Sequence, residues 1–196
     1  MTWTAFSKQY EAKGREKAEG YFPFHFEGMD ANELTRARAL METRGSAGDT
    51  TDLDGLRLIG DAGSIAVLEA AEAQDKRLGI AFECARRETL FALTGNALVL
   101  APLIDRLDTR EDRDSAFAAQ AIARHQLPPS FATALAARIA DGRHETALLW
   151  IIKAWLSAQG EAIWQVPVFD ANLSFIRSVI AERPAARRGL LETWRM

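Results

Sequence analysis

Few residues in this chain have both the type and the spacing that chemistry requires. His144-Glu145 is the one adjacent His-Glu pair, and with His25 and His125 it completes the set of three histidines. A single pair cannot assemble a two-metal ligand set, which needs several nitrogen and carboxylate donors converging. It reads as the solvent-facing start of a helix. Cys84 is the only cysteine, so no intramolecular disulfide forms. It lies among Ile80, Phe82 and Ala85 with no histidine nearby in sequence to activate it, and reads as a buried structural thiol. No phosphate-binding loop, dinucleotide fingerprint or zinc spacing occurs. The chain therefore reads as a non-enzyme, with no catalytic residue, no metal and no cofactor.

Charge gives the most useful functional signal. Asp49, Asp52, Asp54, Asp61, Glu69 and Glu72 fall between positions 49 and 72 against the single Arg57, and a mixed cluster runs through Asp105, Asp108, Glu111, Asp112 and Asp114. Some of these cap helices. In the functional reading, Asp49, Asp52, Asp54, Asp61, Asp108, Glu111 and Asp112 form an acidic face that draws in a basic protein partner. Basic residues gather instead at Lys8, Lys13, Arg15 and Lys17 and at Arg183, Arg187 and Arg188. The net charge of -3 argues against nucleic acid as the main ligand, since such binders carry a basic excess. Tyr21, Phe22, Phe24 and Phe26 cluster around Pro23, either as an exposed anchor or as a cover over the end of the fold. Their alternation is the one strand-like stretch. Of the five tryptophans, most are expected in the core.

The elements that carry these residues read as helices. Alanine, leucine, arginine and glutamate are abundant and favour helix. Leu100, Leu103, Ile104 and Leu107 sit at i, i+3, i+4 and i+7, as do Ala118, Ala121, Ile122 and His125, then Ala132, Leu135, Ala136 and Ile139, then Leu148, Ile151, Ile152 and Trp155. Asp30 with Glu33 reads as a capping box, and Gly60-Asp61, Thr94-Gly95-Asn96, Pro128-Pro129 and Asp141-Gly142 mark helix ends. The expected helices are 2–18, 30–44, 51–60, 62–73, 75–94, 97–108, 111–126, 129–141, 143–159, 169–182 and 184–194.

The central helices recur in pairs, from about Asp61 to Thr94, Gly95 to Gln126 and Leu127 to Ala158, a period of roughly 32 to 35 residues. Each pair is too small to bury its apolar face alone, so neighbours must stack. Within this pattern, residues 58–71, Leu-Ile-Gly-Asp-Ala-Gly-Ser-Ile-Ala-Val-Leu-Glu-Ala-Ala, resemble the junction of two HEAT-like repeats. The resemblance covers residues 30–160 and implies an all-α superhelix, a solenoid of about four to five helix pairs. The alternative architecture is an irregular helical bundle. One domain is expected over residues 1–196, with an N-terminal helix and aromatic loop over 1–29 and a terminal helix pair over 161–196.

The resemblance implies interaction more than catalysis. HEAT-like hydroxylases hold two irons through several His-Glu pairs, and this chain has one. HEAT-like DNA glycosylases depend on a basic concave face, which the acidic balance opposes. In size, charge and lack of catalytic motifs the chain is similar to bacterial immunity proteins, which neutralise a cognate secreted toxin. That likeness implies a basic toxin or effector domain as partner, with an adaptor or assembly factor as the alternative role. No secretion signal or stretch of bilayer length is evident, so no membrane association and a cytoplasmic location are expected. Oligomeric state is left open.

Overall fold

A computed structural model describes residues 2–109 and 112–194; of Thr2 and Asp112 only the backbone is described. Among the described residues every regular element is helical, and no strand occurs. The chain divides into two compact units, Met1–Asn96 and Ala97–Met196.

The first unit contains α1 (Thr2–Glu11), α2 (Gly14–Ala18), α3 (Ala31–Gly45), α4 (Thr50–Ile59), α5 (Ala62–Ala70), α6 (Asp75–Leu78) and α7 (Ile80–Thr94), with 3-10 turns at Pro23–His25 and Ala71–Gln74. Its boundaries follow the local chemistry. Asp30 accepts the amides of Asn32 and Glu33 at 2.8 and 2.9 Å, and the Glu33 carboxylate accepts the Asp30 amide at 3.1 Å, the reciprocal box that starts α3. Gly60 ends α4 at φ 72°, and Asp61 caps α5 by accepting the Ser64 amide at 2.8 Å.

Two expected helices are broken. The segment 75–94 splits at Gly79, whose φ of 82° lies outside helical geometry. The segment 2–18 splits before Gly14. The strand-like alternation at 21–26 forms a 3-10 turn instead. Pro23 opens it, and the Phe22 amide is capped by His25 Nδ1 at 2.8 Å, so no ladder partner is needed.

In packing, α3 lies against α4, α4 against α7, α5 against α7, and α3 against α5. Met41, Leu53, Leu56 and Leu68 fill the space between them without exposure. The α4 backbone runs so close to α3 and the aromatic turn that a Cβ at Gly55 would meet Met41 Sδ at 2.5 Å and the Tyr21 ring at 2.8 Å. Residues 2–29 pack into this unit. Phe6 is fully buried against Trp3, Tyr10, Tyr21 and Phe26, with ring centroids 5.3 to 5.9 Å apart.

The second unit contains α8 (Ala101–Arg106), α9 (Asp112–Ile122), α10 (Ala132–Ala140), α11 (Leu148–Ala158), α12 (Val166–Ala181) and α13 (Pro184–Thr193), with 3-10 turns at Ala97–Leu100 and Pro129–Phe131. Here α8 packs on α9, α9 on α11, and α10 on α11; α12 then lies on α11 and α13 on α10. The expected apolar stripes form the core: Leu100, Leu103, Ile104 and Leu107 are buried, and so are Leu148, Ile151, Ile152 and Trp155. Cys84, in the first unit, is also buried. The tryptophans depart from expectation. Trp155 is buried, and Trp3, Trp150 and Trp194 are half-buried. Trp164 is exposed on the turn ahead of α12, where a loop position gives the indole no helix face to pack on.

Candidate functional site

The expected acidic residues are placed quite differently from one another. Asp52 is fully buried, at 0 % exposure, inside α4. Tyr21 Oη donates to Asp52 Oδ1 at 2.6 Å, and Arg44 Nε lies 2.7 Å from Oδ2. Asp49 caps α4 through the Thr51 amide and pairs with both Lys17 and Arg44. Arg44 in turn donates to the Tyr10 carbonyl and stacks over the Tyr10 ring, 4.0 Å from its centroid. Asp54 is half-buried and bonds Arg57, while Asp61 pairs with Arg38. Burial pushes the Asp52 carboxyl above its usual range. Asp49 is held below that range: partial burial works against its charge, but the bonds from Lys17 and Arg44 outweigh it. Asp61 is held low in the same way, with burial opposed by the Ser64 and Arg38 bonds.

The acidic cluster is thus largely compensated within the fold. Asp49, Asp52, Asp54 and Asp61 each face a guanidinium or ammonium partner. Asp52 presents no charge to solvent at all. Its place inside α4 follows from helical spacing: it lies one residue before Leu53 on the face that α3 and Tyr21 cover.

Burial followed by the Asp52 hydrogen bond raises the Tyr21 hydroxyl far above its ordinary value of 10.0. The unfolded chain ionises Tyr21 near pH 10 and the folded chain does not, so this stability is complete below pH 10 and is lost as pH rises beyond it. In a phenolate absorbance titration, one of the two tyrosines is expected to ionise only together with alkaline unfolding. Tyr21→Phe should remove that cooperative step; a non-cooperative titration of both rings in the parent protein would contradict the buried bond.

The aromatic turn sits directly on this network. Tyr21 and Phe26 point inward, but Phe22 and Phe24 are 46 % and 55 % exposed. Their rings stack with centroids 5.8 Å apart and planes within 6°. His25 lies buried beneath them, 4.0 Å from the Phe24 ring, and burial lowers its pKa, which leaves Nδ1 free to accept the Phe22 amide. The cluster therefore divides: Tyr21 and Phe26 pack inward within the first unit, and Phe22 and Phe24 face solvent.

In the second unit Asp108, Asp141 and His144 converge. His144 is 7 % exposed and lies in the α10–α11 loop, ahead of α11, which starts at Leu148. This corrects the expectation of a solvent-facing helix start. Its Nε2 stands 3.6 Å from Asp108 Oδ1 and 3.6 Å from Asp141 Oδ2, and it has no hydrogen-bond partner. Arg138 Nη2 holds Asp108 Oδ2 at 2.7 Å, and Arg143 Nη2 holds Asp141 Oδ2 at 2.8 Å. Burial acts to raise the Asp141 carboxyl, but bonds from the Arg143 backbone and side chain keep it below its usual range. Glu111 lies outside the described residues, as does the side chain of Asp112. The neighbouring Glu145 forms a bidentate pair with Arg187 at 2.7 and 3.0 Å, and Arg187 is buried rather than part of a basic surface.

Sequence reasoning singled out Asp108 as a partner-binding residue, set His144 aside as solvent-facing and read Asp141 only as a helix end. The available signal was spacing: 141 minus 108 is 33, within the interval of roughly 32 to 35 residues expected from the sequence between successive helix pairs. Searches against protein-family models, curated proteins and solved structures each give no significant match. Among the described residues no helix is long and apolar enough to cross a membrane.

Proposed function

We propose that this chain is a non-catalytic helical-repeat module that binds one protein partner, and that it serves as a cytoplasmic immunity protein neutralising a bacterial toxin. The observation that carries the binding reading is the Phe22–Phe24 pair. Two large stacked rings stand in solvent on a turn braced from below by His25, Tyr21 and Asp52. Rigid exposed aromatics lose little conformational entropy on binding, and such side chains dominate interface energetics. Leaving them in water is unfavourable, by about 25 cal/mol for each Å² of apolar surface.

The stacked-repeat reading has its own support in the polar contacts that link residues one period apart. In the first unit Lys17 pairs with Asp49 and Tyr21 with Asp52, separations of 32 and 31 residues. In the second, Ser157 bonds the His125 carbonyl and Arg138 bonds Asp108, separations of 32 and 30. An irregular bundle has no reason to repeat that interval, whereas stacked helix pairs do.

A pull-down from the native host, with the full chain as bait, tests the reading. It is expected to recover one protein, and the purified pair should bind with a Phe22→Ser/Phe24→Ser variant weakened roughly 30-fold or more. Equal affinity in the parent and the double variant would remove the aromatic turn from the interface. Recovery of no protein would end the binding reading. A toxin activity in the recovered protein, silenced by the bound chain, supports the immunity role; a subunit of a larger assembly would point to an adaptor.

A further inference from the structure

We infer that Asp108, Asp141 and His144 form a binding site for one divalent transition-metal ion of the zinc class, which ties the α8–α9 junction to the α10–α11 loop. Asp108 follows the end of α8, Asp141 caps the end of α10, and His144 lies three residues further on. The 33-residue spacing of the two aspartates brings successive loops of the second unit together, so the donors come from both sides of one junction.

Three features point to a cation. The ligand atoms of the three residues lie within 4.8 Å of one another. His144 is buried, yet its Nε2 has no hydrogen-bond partner, although it faces two carboxylate oxygens. A buried ring nitrogen in that state is unusual. The 3.6 Å separations are also too long for hydrogen bonds, which fall near 2.7–3.2 Å. Zinc bonds of about 2.0–2.2 Å in tetrahedral geometry place ligand atoms roughly 3.3–3.6 Å apart. The two His144–aspartate separations therefore match those of ligands around an ion. Two carboxylate oxygens with one imidazole favour a borderline metal such as Zn²⁺ over Ca²⁺, which takes oxygen donors alone. Asp108 is partly exposed, so water has access to the fourth position.

The two arginines take different parts. Arg138 binds Asp108 through Oδ2, leaving Oδ1 turned toward His144; it positions the ligand. Arg143 competes. Its Nη2 lies 2.8 Å from Asp141 Oδ2 and 3.8 Å from Asp108 Oδ1, so the guanidinium neutralises both carboxylates from outside. It is 67 % exposed, on a flexible stem, and an ion that enters needs only to turn it into solvent.

Calorimetric titration of the untagged, metal-stripped full chain with ZnCl₂ tests the site, alongside thermal unfolding with and without the ion. About one Zn²⁺ per chain is expected, with a raised unfolding midpoint and no competition from Ca²⁺. Asp141→Asn, at a partly exposed position, should retain the fold and weaken binding more than roughly 100-fold. Arg143→Ala should bind at least as tightly as the parent. The inference is overturned if the parent binds no Zn²⁺, if Asp141→Asn binds equally well, or if binding appears only once Arg143 is removed.

Discussion

Replacing Asp75 with alanine is expected to lower the stability of the protein by about 3–5 kcal/mol, the typical effect of leaving one partner of a buried ion pair uncompensated. Arg86 is 1 % exposed, and Asp75 is buried beside it. The pair is bidentate, with Arg86 Nε and Nη2 at 2.8 and 2.5 Å from the two carboxylate oxygens, and Arg86 Nη1 donates to the Leu68 carbonyl at 3.2 Å. One residue thus joins α5, α6 and α7. Removing the carboxylate leaves a guanidinium that cannot reach water with only the Leu68 carbonyl and a 3.7 Å contact to Glu72. For a chain of this size, thermal unfolding followed by circular dichroism should show a midpoint lower by roughly 10 °C. Glu72→Ala is the control: Glu72 also meets Arg86 and Arg87, but it is largely exposed, and its loss should cost about 1 kcal/mol or less. Asp75→Leu/Arg86→Met, which removes both charges, should recover most of the loss. An unchanged midpoint in Asp75→Ala would show that Arg86 finds another anion or opens to solvent.

The second large effect is expected at Asp52. Asp52→Ala removes the acceptor of the Tyr21 hydroxyl and one of the two carboxylates facing Arg44, and should destabilise by about 2–3 kcal/mol. Arg44 keeps Asp49 and the Tyr10 carbonyl, so the effect falls mainly on Tyr21. Tyr21 immediately precedes Phe22, and loosening it loosens the turn that presents the two outward rings. On the proposed function, a weakened affinity for the proposed partner is expected along with the lower midpoint.

Asp52→Asn retains an acceptor for Tyr21 and should lose less. Burial raises the Asp52 carboxyl, so its linked stability is complete below the ordinary aspartate range and declines as pH rises through the raised value. The asparagine variant, which does not titrate, should lack that decline. Chemical denaturation of the parent and both variants across that window measures all of these effects. Equal stability of Asp52→Ala and the parent would contradict the buried network.

Much of the helical framework is legible in the sequence. The i, i+3, i+4, i+7 stripes at Leu100–Leu107 and Leu148–Trp155 are buried as expected, because a helix with one apolar face has one way to remove it from water. Capping at Asp30, Gly60 and Asp61 is equally local, since each bond spans only a few residues. Gly79 is harder. The surrounding sequence favours continuous helix, and only the need to turn α7 onto α4 and α5 selects the positive φ.

The site residues are less legible, for a single reason. Charge along the sequence counts Asp49, Asp52, Asp54 and Asp61 as an acidic run against one Arg57, but Lys17, Arg38 and Arg44 neutralise it from outside that run, on α2 and α3. His144 reads as exposed because its neighbours in sequence are polar, yet it is buried, and the Asp108 carboxylate it faces comes from the α8–α9 junction.

Sequence alone therefore determined helix and cap, and with them the all-helical class, because these depend on interactions within a turn or two of chain. Tertiary structure decided the rest: which acidic groups keep a solvent-facing charge, which of four aromatic rings face outward, and which three ligand atoms converge. Those outcomes depend largely on contacts between segments far apart in the chain, and a side chain's charge and exposure are set by whatever the packed neighbour brings to within a few ångströms of it.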